Sequence, residues 1–126
     1  MNKCLQLKHP WIDKWRISMI SNGAKYFDSD TQKFLDKFNG LISFGITIDG
    51  PKDVHNACRI YHDGTGNFDD AYAAFKDCQK RFGCDSTKVT ISPENLPIIN
   101  ELIDFFANEE ITHINANPIY EHEWSN

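Results

Sequence analysis

Four short apolar runs, each stopped by turn residues, alternate with three stretches whose apolar positions recur every three or four residues. The runs are Trp15 to Ile20 (WRISMI, ending at Ser21-Asn22-Gly23), Leu41 to Ile48 (LISFGITI, ending at Asp49-Gly50-Pro51), Thr87 to Ile91 (TKVTI, ending at Ser92-Pro93) and Thr112 to Ala116 (THINA, ending at Asn117-Pro118). Their length, their β-branched and aromatic content and the turn residues behind them predict strands. The first helical stretch runs from about Asp28 to Phe38. Asp28, Ser29 or Asp30 is available as a cap, Phe34, Leu35 and Phe38 form its buried face, and Asn39-Gly40 ends it. The second opens near Asn67, places Asp69 and Asp70 at the positive end of its dipole, carries Ala71, Ala74, Phe75, Cys78 and Phe82 on one stripe, and ends at Gly83. The third opens near Asn95 with Pro97 in its first turn, and Ile98, Ile99, Leu102, Ile103 and Phe106 share its apolar face.

Strand and helix therefore alternate, beginning and ending on a strand. Strands joined through helices pair in parallel by right-handed crossovers, so the expected fold is α/β, either an open doubly wound sheet or a segment of a β/α barrel. With no linker, low-complexity segment or fixed-period repeat, residues 1–126 read as one domain. In such folds ligands bind at the carboxyl ends of the strands. Four polar segments fall there: Ser21-Asn22-Gly23, Thr47 through Asn56, Ser92 through Asn95, and Asn115 through Tyr120. Each by itself is also what an ordinary turn contains; their convergence on one rim is the more informative feature.

Composition narrows the function classes. The formal charge is −5 and Lys and Arg form no block, which argues against a nucleic-acid partner. No apolar run approaches the roughly 20 residues of a transmembrane helix, and Met1 to Pro10 has no apolar core of a signal peptide, so a soluble cytoplasmic location without a membrane partner is expected. Cys4, Cys58, Cys78 and Cys84 are widely spaced, with no Cys-x-x-Cys pair. They read as reduced thiols rather than a disulfide framework or a metal site, with Cys78 on the apolar stripe of its helix.

The richest segment is TIDGPKDVHNACR, from Thr47 to Arg59, which reads as a loop longer than a strand-to-helix turn requires. Thr47 offers a hydroxyl at a strand end. Arg59 offers a planar fork to a carboxylate ligand, or an ion pair to Asp53 or Asp63. His55 reads as a hydrogen-bonded loop residue. His62-Asp63-Gly64-Thr65-Gly66-Asn67 has glycines before a helix but matches neither phosphate-binding fingerprint, and Asp69 and Asp70 would repel phosphate, so a turn is expected.

On these residues the chain resembles a known family. SFGITIDGPKDVHNACRIYHDGTGNFD is similar to the stretch of radical S-adenosylmethionine (SAM) peptide- and sulfatase-maturating enzymes that reads strand, Asp-Gly-Pro, a His-Asn-like pair, Arg, a Gly-rich turn and Phe-Asp. RISMISNG resembles the preceding strand of that family, and HINANPIYEHEW resembles a later strand in maturases of peptides with repeated Cys-x-x-x units. The resemblance spans about residues 12 to 124. It implies a segment of a partial (β/α)6 TIM-like barrel, SAM and a [4Fe–4S] cluster as cofactors of the complete enzyme, and a peptide substrate, with Cys-rich peptides among the candidates, from which a SAM-derived radical abstracts hydrogen. By position it implies Thr47 near SAM, Arg59 on the methionyl carboxylate, Asn117 packing on the adenosine, and Asn22 and Asp49 lining the same rim; it assigns no residue to the chemical step and none to a metal.

One departure is large. The family's Cys-x-x-x-Cys-x-x-Cys triplet, its Gly-Gly-Glu-type strand and its cysteine-rich C-terminal extension are not in these 126 residues. The expectation is a partial core domain, the middle of the enzyme, that does not cleave SAM by itself because it has no iron to run on. Four barrel strands would leave two open edges and an uncovered inner face, so marginal solubility or a companion chain completing the barrel is also expected. The alternatives are a non-catalytic binding module that completes another subunit's barrel, and an unrelated α/β domain for a small polar ligand.

Overall fold

The computed structural model describes residues 17–120. Trp15, Arg16, Cys4 and the last residues of HINANPIYEHEW lie outside the described residues. The elements follow the order β1 (Ile17–Ser21), α1 (Ser29–Lys37), β2 (Ile42–Ile46), α2 (Lys52–Cys58), α3 (Phe68–Phe82), β3 (Ser86–Ile91), a 3-10 turn (Leu96–Ile98), α4 (Ile99–Asn108) and β4 (His113–Pro118). All four expected strands and all three expected helices are present. The mixed α/β class is as the alternation predicts.

Two elements differ from the expectation. The segment read as a long loop contains α2, entered through Pro51, whose fixed φ suits a helix start. A seven-residue helix with one buried side chain, His55, has no apolar stripe to betray it. Ile103, placed on the buried face of the last helix, is exposed; Leu102 and Phe106 carry the burial and Phe105 packs beside them, so the stripe is narrower than the spacing suggests and Ile103, about 100° round from Leu102, falls at its edge. Asp28 is the N-cap of α1, although its side chain makes no capping hydrogen bond.

The strands form two parallel pairs. Ile17 to Ser21 of β1 run beside Ile42 to Ile46 of β2, and Ser86 to Ile91 of β3 beside His113 to Pro118 of β4. The β1–β2 ladder extends one step further, where the Thr47 N–H donates to the Ser21 carbonyl at 2.8 Å. Between β2 and β3 a side chain replaces the ladder. The Thr87 hydroxyl accepts from the Ile48 N–H at 2.8 Å and lies 3.0 and 3.2 Å from the Ile46 and Ile48 carbonyls, to either of which it can donate. Three residues further on, the Thr90 N–H reaches Asp49. Contacts advance along both strands in the same sense, so β2 and β3 also run parallel.

The helices lie on one face of this strand layer. Ala71, Ala74, Phe75 and Cys78 of α3, all sealed from solvent, pack with Ile46 and Ile48 from the β2 segment, Val89 of β3 and Leu102 and Phe106 of α4. Alternation along a strand sends the neighbouring residues to the opposite face. There Ser18, Ile20, Ser43 and Lys88 are exposed. Of β4 only Asn117 is even half-buried, so that strand is open on both faces. No described helix is long and apolar enough to cross a membrane.

Candidate functional site

The site grows out of the stretch that follows β2. Residues 45–50 are all buried. Ile46 and Ile48 point into the helix-side core, which sends Thr47 and Asp49 toward the uncovered side. Asn22 continues the same phase beyond Ile20 of β1, and Asn117 is paired in register with Thr90, in phase with the exposed Lys88. Four of the five residues singled out by sequence thus emerge on one face at the carboxyl ends of their strands. Gly50 makes the chain's exit possible. Its φ is +147°, and a Cβ there would stand 2.6 Å from Leu102 Cδ2, so only glycine fits between the strand end and α4.

The fifth residue, Arg59, returns from the end of α2. Its Nε donates to Asp49 Oδ2 and its Nη2 lies 3.4 Å from Asp49 Oδ1. Its partner is therefore Asp49, not Asp53 or Asp63. Asp49 is 4% exposed, and its carboxylate also accepts the Thr90 N–H at 3.1 Å. The buried charge is thus met by a cation and a backbone donor, the condition under which a carboxylate tolerates burial. Nη1 of Arg59 takes no part in this pair and its side chain is 31% exposed, which leaves donor capacity for an anion from outside.

Behind the pair lies a buried polar relay. The Asp49 N–H donates to His55 Nδ1 at 3.2 Å, so that nitrogen carries a lone pair and the proton sits on Nε2, which donates to Asn67 Oδ1 at 2.8 Å. The Asn67 amide in turn reaches the Asn22 carbonyl at 3.5 Å. Burial, opposed by the Asn67 hydrogen bond, holds the His55 imidazole below its ordinary value and keeps it neutral. Asn22, Asp49 and Arg59 are therefore joined in one network; Thr47 stands two residues from Asp49 on the same side, and Asn117 one strand away, opposite Thr90.

The glycine-rich turn is structural. A Cβ on Gly66 would stand 2.1 Å from Asn56 Cγ, so the missing side chain makes room for Asn56, whose Oδ1 accepts the Phe68 N–H at 3.0 Å and satisfies the start of α3. Asp63 closes the turn by accepting both the Thr65 N–H and hydroxyl. His55 is a hydrogen-bonded residue, as its sequence context suggested, although on a helix. Asn67, Thr90, Ser92 and Asn95 were not individually foreseen; no spacing rule links His55 to Asn67, and only the distance reveals the pair.

The donor set suits the carboxylate end of an amino acid and does not suit an iron–sulfur cluster. Among the described residues no three His, Cys, Asp or Glu side chains converge on a metal position, Cys58 is exposed on α2, and Cys78 and Cys84 are buried. The hydrogen bond to Cys84, with burial behind it, pushes the Cys78 thiol up, while that same bond brings Cys84 to about 7.

No protein-family model and no curated protein matches the chain. Solved structures do. The histidine-tagged anSMEcpe with bound AdoMet superposes with a TM-score of 0.70 at 20% identity, covering 88% of this chain and 31% of that one. Native anSMEcpe with bound AdoMet and Kp18Cys peptide gives 0.69 at 20% identity over 86% and 30%, and the form with Cp18Cys peptide gives 0.70 at 20% over 88% and 31%. The chain has the fold of a segment of anSMEcpe, an anaerobic sulfatase-maturating radical SAM enzyme, and spans under a third of that protein's length.

Proposed function

We propose that this chain is the SAM-side wall of a radical SAM enzyme that modifies a peptide, and that its strands belong to a partial (β/α)6 barrel. The observation that carries the reading is the fold shared with anSMEcpe over 88% of the chain, with Asn22, Thr47, Asp49 and Asn117 emerging at the strand ends beside Arg59. In this reading Arg59, fixed in direction by Asp49, presents its remaining N–H groups to the methionyl carboxylate of SAM, a bidentate or forked contact that lysine cannot copy. Thr47 supplies a hydroxyl to the same ligand, Asn117 packs near the adenosine, and Asn22 closes the rim. Bound SAM supplies the hydrogen-abstracting group of such enzymes. The neutral His55 keeps the Asp49 backbone in place and adds no charge beneath the cation.

The described residues do not form a cluster site, so the chain by itself is proposed to be inactive toward SAM. The open face and the strand β4 favour a companion, either the remainder of the same enzyme or a separate chain that completes the barrel. Anaerobic reconstitution with iron and sulfide, followed by dithionite and SAM, tests the division of labour. The isolated chain is expected to yield no 5′-deoxyadenosine, and its appearance would sink the claim.

A further inference from the structure

Cys78 and Cys84 are two thiols that the function proposed above does not use. Cys78 stands toward the end of α3, and Cys84 follows Gly83, where the chain leaves the helix at a φ of +66°. The Gly83 N–H donates to the Gln79 carbonyl at 3.0 Å, and this left-handed exit folds the next side chain back over the end of the helix. The two sulfurs therefore meet, with the Cys78 thiol hydrogen-bonded to Cys84. Both belong to the core, Cys78 fully sealed and Cys84 5% exposed.

Neighbouring strands hold the pair from two sides. Cys78 Sγ lies 3.8 Å from the Phe44 carbonyl of β2, and Cys84 Sγ lies 3.8 Å from the Ser86 carbonyl at the start of β3. A helix end of this kind needs only an apolar side chain at the position of Cys84. A second thiol there adds chemistry, because two cysteines held in contact can exchange a hydrogen bond for a covalent one. Both thiols are free in this structure, which therefore shows the reduced form. They are not equivalent. The hydrogen bond from Cys78, joined by backbone groups of Ser86 and Ile46, outweighs burial and lowers the Cys84 thiol, whereas Cys78 is raised. Cys84 is also the one with any exposure, and it sits at a helix end, where opening is local rather than global.

We propose that Cys78 and Cys84 form a dithiol switch, closed to a disulfide by a hydroperoxide and reopened by a thiol reductant. The Cys84 thiolate attacks one oxygen of hydrogen peroxide and the O–O bond breaks. The other oxygen leaves as hydroxide and takes up a proton to become water, and Cys84 is left as a sulfenic acid. The Cys78 sulfur then attacks the Cys84 sulfur, the S–O bond breaks, and the departing hydroxide with the Cys78 proton makes a second water. Two thiols and one peroxide thus give one disulfide and two waters. The new bond staples the end of α3 to the entry of β3, on the far side of the β2 segment from Thr47 and Asp49. The inference stands apart from the SAM reading, since it needs only the helix end and the two thiols.

The test treats the intact chain with hydrogen peroxide, blocks remaining thiols with N-ethylmaleimide in urea, and maps the tryptic peptides. Trypsin cuts after Lys80 and Arg81, between the two cysteines, so the bond joins peptides that otherwise separate. A linked pair carrying Cys78 and Cys84 is expected, and dithiothreitol is expected to abolish it. The oxidised chain is expected to unfold at a urea midpoint about 1 M higher, because a bond that fits the native structure constrains the unfolded chain. In Cys78→Ala the sulfenic acid on Cys84 is expected to persist and to be trapped by dimedone, whereas Cys84→Ala leaves Cys78 untrapped. The mapping of the unaltered chain does not depend on either variant folding. Recovery of Cys78 and Cys84 as maleimide adducts, cross-links to Cys4 or Cys58 in place of this one, or a lowered midpoint overturns the switch. Trapping of Cys78 in Cys84→Ala overturns the order of attack.

Discussion

The two faces of the strand layer were built to different rules. On the helix side Phe75, Ile46, Ile48, Val89 and Leu102 are sealed against one another, and the sequence there is readable as periodic apolar positions. On the other side Ile20 and Lys88 stand in solvent, while Thr47 and Asp49, in the same phase, are buried only where the chain turns into α2. The contrast teaches that burial of one face suffices to set strand order and register, leaving the opposite face free to carry polar side chains at the strand ends. A face that contributes little to stability is where ligand or partner contacts can be placed at low cost to the fold.

The largest effect is expected on the helix side. Phe75→Ala removes a fully buried ring from the centre of α3 and should lower unfolding free energy by about 3–5 kcal/mol, measured by urea denaturation. Next comes the Asp49–Arg59 pair beneath the open rim. Arg59→Met leaves the Asp49 carboxylate buried without its cation and should cost about 2 kcal/mol at neutral pH, the figure for a buried pair reduced because Arg59 is partly exposed. The double variant with Asp49→Leu should lose less than the sum of the two single changes, since the uncompensated charge is then gone.

How far these two faces could be read from sequence follows from the same contrast. The strands and the three longer helices were legible because apolar periodicity and turn residues report burial directly, as with Ala71, Ala74, Phe75 and Cys78 ending at Gly83. The short helix α2 was not, since Lys52–Cys58 buries only His55 and has no stripe. Ile103 was misplaced because it sits at the edge of the apolar stripe, and spacing does not show whether the core reaches that edge or stops at Leu102 and Phe106. The segments that hold Asn22, Thr47, Asp49 and Asn117 were marked by their place at strand ends, and the family resemblance picked these residues within them; the partner of Arg59 was not foreseen, because Asp49, Asp53 and Asp63 are chemically equivalent until distances choose among them. The His55–Asn67 pair was invisible for the same reason.

Smaller effects sharpen the comparison. Gly66→Ala should cost about 1–2 kcal/mol, since the new methyl displaces Asn56 from the start of α3; the same change at Gly64, which has open space around it but a φ of +85°, tests strain without displacement. His55 should appear as a slope rather than a step. Its folded imidazole is held below the ordinary value of 6.5 by burial, so as pH falls through that value the unfolded chain takes up a proton the folded one refuses. Stability should therefore be full above pH 6.5 and decline between that value and the lower one of the folded ring, and His55→Gln should flatten this decline. Smallest of all, Ile20→Ser on the open face should change stability by no more than about 0.5 kcal/mol while reducing self-association, read by analytical ultracentrifugation.

The central claim is that Arg59, aimed by Asp49, faces the carboxylate of SAM, and calorimetric titration of the chain with SAM and with decarboxylated SAM tests it most directly. The account predicts that SAM binds roughly ten- to a hundredfold more tightly than the decarboxylated form, the range of one charged hydrogen-bonded contact, and that Arg59→Met erases the difference. Equal affinity for the two ligands, or a difference that survives Arg59→Met, would contradict it.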